Sequence, residues 1–275
     1  MLMRGINNYL RAQHSVQCSA SSQILVIRSK KKDPQESLQG GSLAVSGIFR
    51  EKNDMSEEKN NQVIRLPEAF CSRMKEMLGE DYPAFLSAFS EGRSWKALRV
   101  NTLKTDLARF RAVYRGDLDQ VPWAENGFYY DEADRPGRSP LHEAGLYYIQ
   151  EPSAMAVAAL SGTQPGERVL DLCAAPGGKS TQLAAMLEGQ GLLVANEIHP
   201  ARARILSQNI ERMGIKNALV TNEAPEDLAL RFPAFFDRII VDAPCSGEGM
   251  FRKEEQALTC WSRDNPHRCR RLSQV

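Results

Sequence analysis

Between Leu66 and Gly79 the chain reads LPEAFCSRMKEMLG, which places Phe70, Met74, Met77 and Leu78 at helical spacing. Pro67 falls in the first turn and Gly79 supplies a stop, so a helix is predicted there. A second short helix is predicted over Tyr82–Phe89, and residues 95–104 (WKALRVNTLK) alternate as a strand does. Residues 121–150 carry Pro122, Gly127, Pro136, Gly137 and Pro140 and read as loop-rich. From Arg168 the texture changes to alternating strand and helix. RVLDLCA, LLVANEI, NALVTNE and FDRIIVDAP are predicted strands, separated by helices KSTQLAAMLEG, HPARARILSQNIERMG and EDLALRF. In the middle helix Ile205, Ile210 and Met213 are available for the buried face. Short apolar strands alternating with helices predict parallel βαβ units covered on both faces. The expected fold class is α/β: an incomplete Rossmann-like sheet of about four parallel strands, preceded by a small α+β domain.

The first 62 residues do not share this pattern. Residues 1–32 contain no acid, while Arg4, Arg11, Arg28 and Lys30–Lys32 are spread through Ser- and Gln-rich sequence. The apolar run Ile24–Ile27 is too short for a secretory core, a transit peptide fits better, and a disordered or spuriously translated leader is the blander reading. Residues 33–62 are polar and Gly/Ser-rich, a composition that cannot pack a core. The expected organisation is a leader over 1–62, a small α+β domain over 63–150 and the sheet domain over 151–275. The net charge of +1 conceals this split, since residues 1–54 carry +4 and the remainder −3. The nearly neutral total gives no polybasic signature of a nucleic-acid binder. No stretch approaches the ~18 apolar residues of a membrane span. Six cysteines without a C-x-x-C pair support neither a zinc ribbon nor a dense disulfide framework.

In parallel sheets, ligands bind beyond the carboxyl ends of strands at the switch point. The first such strand ends in DLCAAPGGKS, where Asp171 closes the strand and Cys173, Ala174, Ala175, Pro176, Gly177, Gly178 and Lys179 lead into a helix. Small residues there expose backbone N–H groups at a helix N-terminus, which suits an anion. Three ligands compete. A nucleoside triphosphate needs G-x-x-x-x-G-K-[ST]; GKS is present, but Cys173 stands at the first glycine position. A dinucleotide wants G-x-G-x-x-G, which is absent. S-adenosylmethionine needs a donor cradle for its carboxylate and an acid for its ribose. Glu197, at the end of the second strand, supplies the acid, and Asn222 and Glu223 end the third strand near the expected adenine. Glu197 as a merely solvated carboxylate is the plain alternative.

The fourth strand ends in DAPCSGEGMFRK, which brings Asp242 and Cys245 to the same edge. Carbon-5 of cytosine becomes nucleophilic once a thiolate adds to carbon-6, and Asp242 would suit the amino group or ring nitrogen of a flipped cytosine. Cationic neighbours such as Lys179, Arg252 or Lys253 would activate a cysteine there, whereas a packed, inert thiol is the plain reading.

The segments LPEAF, LRVNTLK, LHEAGLYYIQEPSAM, RVLDLCAAPGGKS and DAPCSGEGMFRK, with Glu197 between the last two, resemble the RsmF-type branch of the Nop/Sun (RsmB-like) RNA cytosine carbon-5 methyltransferases. The resemblance implies a class I methyltransferase sheet and S-adenosyl-L-methionine as cofactor. It implies that Cys173–Lys179 form the cofactor loop, that Glu197 takes the ribose, and that Asn222 and Glu223 lie near the adenine. It implies that Asp242 meets cofactor and target base, and that Cys245 helps release product without being the nucleophile. The implied partner is RNA, with small-subunit rRNA expected. A cytoplasmic monomer without a metal is expected. The family's nucleophile lies in a Thr-Cys pair on a later strand. Thr259-Cys260 does not qualify, because it follows Cys245 by only 15 residues with no apolar strand before it. The chain is therefore expected to be a fragment that keeps cofactor-loop geometry without full activity. A non-catalytic RNA- or nucleotide-binding module of degenerate P-loop type is the alternative function.

Overall fold

The computed structural model describes residues 24–28, 66–90, 95–242, 248–251 and 255–262. The chain forms two compact units, one drawn from Ser22–Lys31 and Ser94–Pro244, the other from Lys32–Arg93 and Cys245–Val275 with the first residues.

In the larger unit the strands are β1 (Ile24–Arg28), β2 (Ala97–Val100), β3 (Asp119–Gln120), β4 (Gly127–Tyr129), β5 (Tyr147–Ile149), β6 (Arg168–Asp171), β7 (Leu192–Asn196), β8 (Ala218–Thr221) and β9 (Arg238–Asp242). The main sheet has the order β1-β9-β6-β7-β8. Strands β6 to β9 are mutually parallel, as the alternating pattern predicts. The chain steps outward from β6 through β7 to β8 and then returns to lay β9 on the other side of β6. The carboxyl ends of β6 and β9 therefore flank a topological switch point. The apolar run Ile24–Arg28, assigned from sequence to a disordered leader, instead forms β1. It pairs antiparallel with β9 from Ile24 opposite Asp242 to Arg28 opposite Arg238. This covers an edge that a four-strand sheet would leave with unpaired backbone groups.

Buried Val169, Leu193, Ala195 and Ile240 from the strands pack with Leu183 and Ala184 from one helix, Leu187 at its C-cap, and Leu206 and Ile210 from the next helix. Those helices lie in the series α5 (Pro152–Ser161), α6 (Gly178–Met186), α7 (Pro200–Arg212) and α8 (Pro225–Arg231), which follows two short ones, α3 (Leu107–Val113) and α4 (Pro140–Glu143). On α7 the buried stripe is Ala203, Leu206 and Ile210, with Met213 just beyond. Ile205, expected inside, is 47% exposed. At about 100° per residue, the face fixed by 203, 206, 210 and 213 turns residue 205 toward solvent.

The second sheet is antiparallel, in the order β3-β4-β2-β5. Its β2 falls in the segment 95–104 read as a strand, whereas β4 and β5 fall in 121–150, read as loop-rich because strands of three residues leave little alternation to read. Asn101, just past β2, ties this sheet to the end of α7. Its buried amide donates to Gly145 O and Met213 O, both at 2.8 Å. Lys104 Nζ donates to Ala144 O and Arg212 O, both at 2.7 Å. Residues 94–150 thereby group with the parallel sheet, although the hydrophobic pattern puts a boundary at 150. Asn101→Ala removes both amide bonds and leaves two carbonyls unpaired. It is expected to lower unfolding stability by about 2 kcal/mol, read by urea denaturation. A change below about 0.5 kcal/mol would show that water replaces them.

The smaller unit contains α1 (Glu68–Leu78), α2 (Tyr82–Ser90) and α9 (Glu255–Cys260). Phe70 and Met74 of α1 pack with Phe85, Phe89 and Phe251, as their spacing predicts. The Phe70 and Phe251 rings meet edge-on at 5.1 Å. Glu248 is buried and paired with Arg73 of α1, and it accepts the Trp261 indole N–H at 2.8 Å.

Candidate active site

The loop after β6 is held between its two neighbouring strands. Leu172 N donates to Ile240 O of β9 at 3.0 Å, and Ala174 N donates to Asn196 O of β7 at 2.8 Å. Gly177 caps α6 at a φ of 114°, a region where a side chain would be strained, and an added Cβ would lie 3.3 Å from Leu206. The loop bounds a cavity of about 350 Å³ lined by Cys173, Ala174, Ala175, Pro176, Gly178 and Lys179, with Asp242 from the end of β9. Small-molecule pockets span roughly 300–1,000 Å³. The opposite wall is Tyr148, Ile149, Gln150, Glu151 and Ala154, and Arg202 of α7 completes it.

Lys179 Nζ and Asp242 Oδ2 form an ion pair at 2.6 Å, with both side chains about a quarter exposed. Lys179 is thus committed to a carboxylate. Asp171 is fully buried; its Oδ2 accepts from Ser180 Oγ at 2.6 Å, while among the described residues its Oδ1 has no hydrogen-bond partner. Burial is the main reason its pKa is pushed up to about 6, and the nearby Asp242 charge adds to it, against the opposing pull of Ser180 and Lys179. Burial, with the Asp171, Glu197 and Asp242 charges, also pushes the Cys173 thiol up to about 11. Cys173 is therefore a poor nucleophile.

Glu197 stands beyond β7 and is 3% exposed. Its Oε1 accepts from His199 N at 3.0 Å, and its Oε2 pairs with Arg202 Nη1 at 3.0 Å. Arg202 also donates to Ala175 O of the loop at 2.9 Å. Arg202, not Glu197, is the group on the cavity wall. Asn222 and Glu223 follow directly on β8 and do not line this cavity. The Asn222 amide donates to Glu197 O at 2.6 Å, Glu223 N donates to Asn196 Oδ1 at 3.1 Å, and the Glu223 carboxylate faces Arg231 at 3.7 Å. Cys245, Arg252 and Lys253 lie outside the described residues. Thr259 and Cys260 are exposed at the end of α9, so this pair does not close a strand.

Sequence reasoning missed the wall formed by Tyr148, Ile149, Gln150 and Glu151. Tyr147 and Tyr148 are both buried. Tyr147 OH donates to Pro136 O at 2.7 Å. Of the basic residues between 93 and 104, Arg93 lies outside the described residues and Arg99 is fully buried. Lys96 pairs with Glu132, and Lys104 is bound to carbonyls. Among the described residues no cluster of three or more His, Cys, Asp or Glu could hold a metal, and no helix is long and apolar enough to cross a membrane.

Residues 66–152 match the model for the N-terminal domain of 16S rRNA methyltransferase RsmF, and residues 158–273 match the model for 16S rRNA methyltransferase RsmB/F. The chain belongs to the RsmF-like branch of the Nop/Sun family. It is 43% identical over 211 residues to the ribosomal RNA small subunit methyltransferase F of Vibrio cholerae serotype O1 (strain M66-2), covering 72% of this chain and 44% of that protein. It thus spans under half the length of that relative. A methyltransferase homologue protein from Pyrococcus horikoshii superposes with a TM-score of 0.54 at 31% identity, covering 62% of this chain and 58% of that one. NSun6 from the same organism, solved with SFG, gives a TM-score of 0.62 at 16% identity, covering 76% and 77%, which is a likeness of fold. The α/β fold is Rossmann-like, as the resemblance implies.

Proposed function

We propose that this chain carries the cofactor site and the Asp242 edge of an S-adenosylmethionine-dependent RNA cytosine carbon-5 methyltransferase, with small-subunit rRNA as substrate. The reading rests on one arrangement. A small-residue loop capped by a positive-φ glycine and a Lys179–Asp242 pair meet in one cavity at the sheet's switch point. Family membership supports the same reaction class, and the Pyrococcus NSun6 structure holds an analogue of S-adenosylmethionine.

The residues present suit that cofactor. Backbone N–H groups at the start of α6 fit its carboxylate. The unpartnered Oδ1 of Asp171 gives a buried acceptor beside the loop. Glu197 is an acid for the ribose. When bound, the cofactor supplies an activated methyl group. Asp242, oriented by Lys179, is the group to hold a flipped cytosine through its amino group or ring nitrogen. Cys245, three residues on, is assigned to product release. Asn222 and Glu223 are assigned to the adenine side through their bonds to Glu197 and Asn196. A monomer in the cytoplasm, acting without a metal, completes the proposal.

Calorimetry tests it against the P-loop-like alternative. S-adenosylmethionine is expected to bind with a stoichiometry of one and ATP to give no heat at the same concentration. ATP binding with no S-adenosylmethionine binding would overturn the reading. Labelled small-subunit rRNA retained on a filter with the chain, and poorly competed by bulk tRNA, would support the substrate assignment; equal competition would count against it.

A further inference from the structure

Arg99 is third in β2 and fully buried, yet among the described residues no carboxylate pairs with it. Its Nε donates to Gln150 Oε1 at 2.8 Å, and its Nη2 donates to Thr181 Oγ1 at 2.7 Å and to Gly178 O at 3.1 Å. The guanidinium carbon lies 6.0 Å from the Tyr148 ring centre, and among the described residues Nη1 has no hydrogen-bond partner. Burial lowers its pKa to about 9, so it remains a cation at neutral pH. A buried charge satisfied only by neutral oxygens is costly. Such a group is more readily explained by a site than by stability.

Three of the groups that Arg99 touches, Tyr148, Gln150 and Gly178, line the cavity. The fit is close, since a Cβ at Gly178 would lie 3.3 Å from Tyr148 Cε1 and 3.5 Å from Gln150 Cδ. Arg99 thus grips the first turn of α6 and the opposite wall from behind. In a water-poor interior its charge acts over several ångströms on whatever fills the cavity.

We propose that Arg99 is a positioning residue for the cofactor site: it sets Gln150 and the start of α6, and it supplies the buried positive charge that an amino-acid carboxylate on the ligand neutralises. This rests on the reading of the cavity as a site for S-adenosylmethionine. S-adenosylhomocysteine has such a carboxylate, whereas 5′-methylthioadenosine shares the adenosine but has none. Arg99→Gln is expected to weaken S-adenosylhomocysteine at least tenfold and methylthioadenosine less than threefold. Arg99→Lys keeps the charge without the fork and is expected to recover part of the difference between the two ligands. An equal loss for both ligands would reduce Arg99 to a structural staple, and no loss for either would overturn the proposal. Absence of binding by the unaltered chain would instead sink the cofactor reading itself. Circular dichroism identifies a variant that fails to fold. If Arg99→Gln fails, Arg99→Lys decides: discrimination between the two ligands kept at least in part supports the charge role, and discrimination lost with the fold intact overturns it.

Discussion

Glu197→Ala is expected to weaken S-adenosylmethionine binding about 100-fold. Glu197 is 3% exposed and held on both oxygens, by the His199 N–H and by Arg202. A carboxylate fixed in this way offers preorganised acceptors to two ribose hydroxyls. Hydrogen bonds to a charged group contribute about 1.5–3 kcal/mol each. Losing about 3 kcal/mol in total is a factor of roughly 100 in affinity. The structure adds a qualification that the strand-end position alone does not reveal. Arg202 occupies Oε2 and lines the cavity, so a ribose would share or displace that contact. Arg202 is half exposed, and its pairing with Glu197 contributes little by itself. Glu197→Gln, which keeps one acceptor, is expected to fall between the two, near tenfold. Calorimetric affinity of Glu197→Ala within threefold of the unaltered chain would remove Glu197 from the ribose role.

Asp171→Asn is expected to make the larger unit more stable at neutral pH, by up to about 3 kcal/mol. The Asp171 pKa is raised from 3.8 to about 6, chiefly by burial. Between those values the folded state holds a proton that the unfolded chain has released. Its contribution is therefore fully present below about 4 and lost as pH rises through about 6. About two pKa units correspond to about 3 kcal/mol at 1.36 kcal/mol per unit, an upper figure because Asn leaves one amide to satisfy. The difference between the two proteins in urea midpoints from pH 4 to 8 isolates this one group. It should be near zero at pH 4 and favour Asn above pH 7. The opposite slope would show that Asp171 is stabilised as a carboxylate. A destabilising charge retained at the switch point is a mark of a binding site. The same variant is accordingly expected to bind S-adenosylmethionine more weakly.

Much of this protein is legible in one dimension. The small-residue loop after β6 could be read because Ala174, Ala175, Gly177 and Gly178 cluster between a strand and a helix pattern, and Asp242 because it ends an apolar strand. The burial of Arg99 is not legible, because a basic residue in an alternating segment looks like a solvated face. Nothing local says that all four residues of β2 are buried. Ile205 was misplaced because Ile205 and Leu206 compete for one stripe, and only packing against the sheet chooses between them. β1 was missed because five apolar-rich residues in polar surroundings gain their partner more than 200 residues away.

Local chemistry by itself determined the elements of the βαβ series and the place of a small-residue loop at the end of its first strand. Each depends on residues close together in sequence: helical and strand periods, small residues where backbone must be approached, and carboxylates at strand ends. Tertiary structure alone decided that Lys179 is spent on Asp242, that Arg202 screens Glu197, that the far wall comes from residues 148–151, and that Arg99 lies charged and buried behind it. These features join residues tens of positions apart, from Arg99 and Gly178 to Lys179 and Asp242. Their energetics turn on desolvation, which depends on what surrounds a group in three dimensions and not on what adjoins it along the chain.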